Sequence, residues 1–316
     1  MRTYIYNLVA SDEEKAVCEL ETRQLLNSSV QWSEQIGFTL STVNMELNRS
    51  PYLKWKLAVI ACVSDEEQCI TTLQQLKPAL PFRLNWLNGY EHNHVIAYSK
   101  HTRRKLEKQF AEHIKGQVQL NNPPLQYGIT IINGHYYIGE WFETANGWLQ
   151  HAQKPRQYST ALSTRLARSI INIALPNPAP SLTFVDPCCG IGTVLLEAAA
   201  LGVQAEGYDL NPVVLKGTRE NLNYFAYNVP VKYENMLNLT TRYDVAVLDL
   251  PYNLCSVLPE EEKRAMIKQM QQLANRYVIV TIEPIAHMLE QLNITVLDYA
   301  VHYKGKFKRE LFLCGQ

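Results

Sequence analysis

The sequence predicts an α/β chain: a mostly parallel, doubly wound sheet ending in an antiparallel hairpin, preceded by a smaller α+β domain. Three observations predict it. From residue 182 short apolar runs alternate with helix-length segments, and one of those runs leads into the glycine loop DPCCGIGT. The last two runs are separated only by the region Lys304-Gly305-Lys306, too short for a helical crossover. Alternation of this kind argues for parallel strands joined by helices, and a tight final link argues for a hairpin.

The chain has 316 residues, enough for two domains or one large one. It is 47% hydrophobic and 19% charged, so a packed core is expected rather than disorder. The formal net charge is +0, so a nucleic-acid partner would have to be held by a local basic face. The seven cysteines include no C-x-x-C pair and the histidines no H-x-x-x-H, so neither a metal site nor a disulfide scaffold is expected. His92 and His94 read as loop residues. Reduced thiols and a cytoplasmic setting are the expectation. The opening MRTYIYNLVASDEEK is too briefly apolar for a signal peptide, and no apolar stretch is long enough to span a bilayer.

Residues 1–120 read as three strand-helix units. Thr3 to Leu8 is strand-like, and Ser11-Asp12-Glu13-Glu14 then forms a capping box with Ser11 as N-cap, followed by Val17, Leu20 and Leu25 at helical spacing. The word SDEE recurs at Ser64–Glu67 after a second apolar run, with Ile70, Leu73 and Leu76 as the next buried face. Val95 to Tyr98 and a basic helix from Thr102 to about Ile114 make the third unit. Residues 121–160 are read as a hairpin and linker, because Asn133-Gly134 joins two β-rich runs and both turn positions need positive φ. From Leu162 the helix STRLARSIINIA brings Leu166, Ile170, Ile173 and Ala174 together, and Pro176, Pro178 and Pro180 end it. Residues 161–316 are the expected catalytic domain. Its strands are placed at Leu182–Val185, Gln204–Tyr208, Val231–Tyr233, Asp244–Leu248, Tyr277–Ile282, Ile294–Val301 and Glu310–Cys314, with helices between the first five and their successors.

The loop Asp186-Pro187-Cys188-Cys189-Gly190-Ile191-Gly192-Thr193 follows the first of these strands. Gly190 and Gly192 let backbone approach a ligand where a Cβ would collide, and Asp186 can pair with a cationic amino group. A lone G-x-G is a weak signal that also serves plain helix packing. Asp209-Leu210, about 20 residues on, adds an acid suited to ribose hydroxyls, although Asp209 also reads as an N-cap for the helix from Pro212. Asn235 and Met236 follow the third strand and suit an adenine edge and face. Dinucleotide oxidoreductases share the loop and the acid, but their usual third glycine is Leu195 here. Cys188 and Cys189 otherwise read as packing residues beneath the loop.

Asp249-Leu250-Pro251-Tyr252 closes the fourth strand. Its carboxylate and a carbonyl freed by the proline turn can accept both hydrogens of an NH2 group, while the ring stacks on a flat base. Together with the glycine loop, this points to methyl transfer to an exocyclic amine. Cys255 raises the alternative of a thiol nucleophile for cytosine C5, but that chemistry places cysteine where Tyr252 stands.

Five segments then carry a family resemblance: GITIINGHYYIG, PRQYSTALSTRLARSIINIA, DPCCGIGTVLLEA, GYDLNPVVLKGTRENL and DLPYNL. In order and spacing, residues from about 121 to 316 resemble the tRNA guanine-N2 methyltransferase group of THUMP-associated RNA methylases. The first 120 residues match weakly and suit a divergent RNA-binding module. The resemblance implies a seven-stranded class I methyltransferase fold and S-adenosylmethionine as donor. It implies that Asp186, Cys188, Gly190, Gly192, Thr193, Asp209, Leu210, Asn235 and Met236 bind the donor. Asp249, Leu250, Pro251 and Tyr252 are then the catalytic, target-amine motif. The family usually has an acid where Asn235 stands and a proline where Leu250 stands. Its implied partner is RNA, above all tRNA. Two basic clusters are candidates for RNA: Lys100, Arg103, Arg104, Lys105 and Lys108, and Lys304, Lys306, Lys308 and Arg309; Arg156 and Arg165, which with Lys154 and Arg168 lie between the domains in sequence, are added to them. Other readings are an adenine N6 or protein glutamine methyltransferase, since the same motif serves both, or a binding protein with weakened catalysis.

Overall fold

The computed structural model describes residues 1–92, 94–251, 258–305 and 307–315. These fall into two compact units: Met1–Asp12, Leu26–Asn48 and Tyr52–Ala145 form one, and Glu13–Leu25, Arg49–Pro51 and Asn146–Gln316 the other. Among the described residues no helix is long and apolar enough to cross a membrane.

In chain order the elements up to residue 143 are β1 (Tyr4–Val9), α1 (Lys15–Leu26), β2 (Gln31–Ser33), β3 (Ile36–Ser41), β4 (Leu53–Val63), α2 (Glu66–Gln75), β5 (Phe82–Trp86), β6 (Gly89–Glu91), β7 (His94–Ile96), α3 (Lys100–Ala111), β8 (Leu125–Ile132) and β9 (His135–Glu143). Their strands make a nine-stranded sheet in the order β2-β3-β1-β4-β9-β8-β6-β7, with β5 also paired to β8. The Asn-Gly hairpin forms as its sequence demands, with φ of 48° at Asn133 and 78° at Gly134. It is no free-standing linker, because β9 pairs along β4 from Glu143↔Trp55 to Tyr136↔Val63.

The two SDEE words fold differently. At the second, Asp65 caps α2 by accepting from the Gln68 N–H at 2.9 Å. At the first, α1 begins only at Lys15, and the Glu14 carboxylate pairs with Arg165 at 3.0 Å. The apolar face of α1, Val17 and Leu20, packs in one core with α4 (Thr164–Ala174), which is why Glu13–Leu25 belongs to the second unit. A capping-box pattern specifies a helix start locally; α1 follows it, and the Glu14 carboxylate is also engaged by Arg165.

The remaining elements are β10 (Thr183–Asp186), α5 (Thr193–Ala200), β11 (Gln204–Asp209), α6 (Pro212–Tyr224), β12 (Val231–Tyr233), β13 (Tyr243–Asp249), α7 (Glu260–Leu273), β14 (Ala274–Thr281), α8 (Ala286–Gln291), β15 (Val296–Lys304) and β16 (Phe307–Gly315). The seven strands are ordered β12-β11-β10-β13-β14-β16-β15. β10 to β14 are parallel; β16 is antiparallel to both β14 and β15. The expected terminal hairpin is present. The helix expected between the third and fourth strands is not: a short 3-10 turn at Met236–Asn238 stands in that link.

Both faces of this sheet are covered, as side-chain alternation requires. Val245 and Val247 of β13 face a core shared with α1, α4, α5 and α6, while Ala246 and Leu248 face one shared with α7 and α8. β11 and β12 lie to one side of β10, and β13 and β14 to the other. The order therefore reverses between β10 and β13, and a crevice opens there beyond the carboxyl ends of the strands.

Candidate active site

Four of the sequence-predicted positions come from four strand ends at that crevice: Asp186 ends β10, Asp209 ends β11, Asn235 follows β12 and Asp249 ends β13. The glycine loop has the required backbone, with φ of 51° at Gly190 and 78° at Gly192. A Cβ on Gly192 would meet Thr218 Cγ2 at 2.6 Å, whereas one on Gly190 would meet nothing within 4 Å. Gly192 therefore serves close packing on α6, and Gly190 leaves open space beside it. The missing third glycine has a substitute that sequence reasoning passed over. Gly207 on β11 would, with a Cβ, strike Leu195 Cδ1 at 2.4 Å, so the strand supplies the small residue that lets helix and strand approach.

A cavity of about 460 Å3 lies at the loop, within the size range of small-ligand sites. Asp209, Glu234, Asp249 and Glu262 line it, and no lysine or arginine does among the described residues. Pro187, Cys188, Gly190, Leu210, Asn235, Met236, Leu250 and Pro251 are on its wall, so most of the expected donor positions and three of the motif positions converge. Asp186, Gly192 and Thr193 are not on the wall. Asp186 is 3% exposed, its Oδ1 accepts from the Cys188 N–H at 3.3 Å, and burial holds its carboxyl well above the usual range. Cys188 lines the cavity with its sulfur 3.7 Å from that of Met236, while Cys189 is buried beneath. Tyr252, Cys255 and Lys306 lie outside the described residues.

The acids are held in distinct ways. Asp209 accepts from Gly190 N–H at 2.9 Å and from Asn211 N–H at 2.8 Å, tying the loop to β11. The N-cap of α6 is Asn211, which accepts from Val213 and Val214, so Asp209 is not spent on capping. Asn235 turns its side-chain oxygen to the Leu237 N–H at 2.9 Å. Glu234, which the sequence reading missed, accepts from Asn235 N–H at 2.9 Å and Asn238 Nδ2 at 2.8 Å, and these bonds hold its carboxyl below the usual range.

Asp249 differs from all of these. Its Oδ1 is buried with no hydrogen-bond partner among the described residues. Burial pushes its carboxyl up to about 7, with the Arg309 cation acting in the opposite direction. Leu250 clarifies the departure from the family motif. Its N–H donates to Val280 O at 2.9 Å, extending the β13–β14 ladder past Asp249. A proline has no N–H to give, so here the sheet stiffens the turn that a ring would otherwise stiffen.

The basic candidates divide between the two units. In the first unit Arg103 donates to Asn88 Oδ1, while Lys100, Arg104, Lys105 and Lys108 are exposed. In the second unit Arg156 pairs with Glu220, Arg165 with Glu14, Arg168 with the buried Glu197, and Lys308 with Glu310. Arg309 is buried, donates to Thr160 O at 3.2 Å and lies 4.7 Å over the Phe307 ring.

Residues 151–282, the stretch holding the loop and the four strand ends, match the family described as RMKL-like, methyltransferase domain. The chain carries a methyltransferase domain. Over 120 residues it is 28% identical to a tRNA (guanine(10)-N2)-dimethyltransferase of Methanothermobacter thermautotrophicus, covering 37% of this chain and 35% of that protein. Over 183 residues it is 24% identical to the enzyme of the same name from Methanocaldococcus jannaschii, covering 51% of each. The chain thus spans between a third and half of these relatives' own length. The crystal structure of TrmN from Thermus thermophilus aligns over 99% of both chains with a TM-score of 0.51 at 14% identity, which shows a shared fold.

Proposed function

We propose that this methyltransferase moves a methyl group from S-adenosylmethionine to an exocyclic amine of a base in RNA, guanine N2 in tRNA. The observation that carries the reading is Asp249: a carboxylate oxygen without a hydrogen-bond partner among the described residues, at the mouth of a strand, on the wall of an acid-lined cavity that also holds the glycine loop. S-adenosylmethionine would supply an electrophilic methyl group on a positively charged sulfur. The residues present fit such a molecule, because among the described residues four carboxylates and no lysine or arginine line the wall, and Gly190 leaves room beside it. Asp209, with one hydrogen bond accepted at each oxygen, keeps lone pairs for ribose hydroxyls. Glu234 stands one residue before Asn235 and offers the acid that the family usually carries there, while Asn235 keeps its NH2 group for the ligand. Met236 and Leu237 give apolar cover.

An aromatic amine is a weak nucleophile because its lone pair is delocalised into the ring. Asp249 and the carbonyl of Leu250 accept the two amine hydrogens, which localises the lone pair on nitrogen as it attacks. Tyr252, placed by the motif, stacks on the base. Alignment of the reacting atoms can offset ~7–11 kcal/mol of barrier in favourable cases. Asp249 then takes the proton that the methylated nitrogen sheds, and a carboxyl near 7 is well matched to that task. Nucleoside analysis of tRNA from cells with and without the protein tests the reading. N2-methylguanosine is expected to depend on the protein; dependence of N6-methyladenosine instead, or of no nucleoside, would overturn the guanine assignment.

A further inference from the structure

A second cavity, about 670 Å3, shares Tyr158, Thr160 and Ala161 with the acid-lined one. Its charge is opposite. Lys154, Arg165, His302, Lys304 and Arg309 line it, and no carboxylate does among the described residues. Trp148, Tyr158 and Phe307 add aromatic surface. Glu14 pairs with Arg165, and Arg309 holds the Thr160 carbonyl, but Lys154 and Lys304 form no ion pair among the described residues. Lys154 is only 5% exposed. A buried ammonium is costly; Glu197 favours its charge but is already bonded to His151 and Arg168, so an anion in the cavity would add to what Glu197 supplies. His302, at 8% exposure, leaves Nδ1 without a hydrogen-bond partner among the described residues.

Cations interleaved with aromatic rings suit a nucleotide, whose phosphate takes the charge and whose base takes the ring. We propose that this cavity receives the nucleotide flanking the target in the RNA strand, with Lys154 and Lys304 on its phosphate and Tyr158 against its base. The strand then passes over the shared segment 158–161, and the target base lies on the Asp249 side. The inference rests on RNA being the methyl acceptor.

Lys304 is exposed, so Lys304→Gln preserves the fold and removes one charge. The probe is total tRNA from cells lacking the protein, titrated across a salt series. Loss of one phosphate contact is expected to weaken binding about threefold near physiological salt. The slope of log affinity against log salt should become shallower by about one. KM for tRNA should rise with kcat retained, and S-adenosylmethionine binding by calorimetry should match the parent protein. Lys268→Gln, an exposed lysine of α7 outside both cavities, should behave as the parent does. If the parent binds or methylates tRNA and Lys304→Gln is indistinguishable from it, the flanking-nucleotide site is wrong and the RNA reading stands. If the parent neither binds nor methylates tRNA, the RNA reading itself falls, and this inference with it.

Discussion

The two cavities of the methyltransferase unit share three wall residues and little else. One presents Asp209, Glu234, Asp249 and Glu262; the other presents Lys154, Arg165, Lys304 and Arg309. A chain whose charges sum to +0 has thus sorted them into neighbouring compartments of opposite sign. The sorting suits the two molecules of the proposed reaction, a donor that carries positive charge and a polymer that carries negative charge. Whole-chain charge, which counts mildly against a nucleic-acid partner, averages this away.

The acid wall should respond most to change at Asp249. Asp249→Ala is expected to lower kcat by at least about 100-fold, the scale for removing one group that stabilises a transition state. The donor dissociation constant from calorimetry should stay within a few-fold of the parent's, and near-parental turnover would remove Asp249 from the chemistry. Asp209→Ala sharpens the same wall from the donor's side. Losing hydrogen bonds to a charged acceptor costs about 1.5–3 kcal/mol. The variant should therefore bind S-adenosylmethionine roughly 10- to 100-fold more weakly, with tRNA affinity unchanged.

The smallest effect is in pH dependence. The Asp249 carboxyl is raised from 3.8 to about 7 in the folded chain, so folding favours its protonated form. That stabilisation is complete below the unfolded value near 4 and is lost as pH rises through about 7. The ionised form is the one that accepts the amine hydrogens, so activity should rise over the same window while stability falls. Asp249→Asn should remove the stability slope and, at pH 8, be more stable by on the order of 1 kcal/mol in denaturant unfolding. An unchanged slope would mean that another buried acid sets it; Glu21, also pushed up to about 7 by burial, is the first to examine.

What was legible in the sequence was what is local. The strand ends, the Gly190 and Gly192 loop, the Asn133-Gly134 turn and the terminal hairpin follow from periodicity and turn chemistry over a few residues. Partnerships made by topology were not legible. Glu262 reaches the cavity from α7 and no spacing marks it, whereas Glu234 stands beside Asn235 and is marked only by that neighbour. Lys154 sits among the clustered basic residues in the sequence, and only its burial distinguishes it. Gly207 is one glycine in a strand until Leu195 is seen against it. Asp209 and Asn211 are both plausible caps two residues apart, and the backbone geometry selects Asn211. The first SDEE word is a fair helix signal and α1 follows it, but no local pattern marks the pair that Glu14 makes with Arg165, 151 positions further along.

The course of α1 carries a consequence for ancestry. Glu13–Leu25 lends Val17 and Leu20 to the methyltransferase core; Glu21 accepts from Asn172 and Ser50 there, and Arg23 pairs with Asp298 at 2.8 Å. The second unit is therefore written in the gene as separated passages, not one. Neither recombination nor truncation at a single cut can transplant it whole, so the two units are bound to be inherited together, and drift in one must be tolerated by the reading of both.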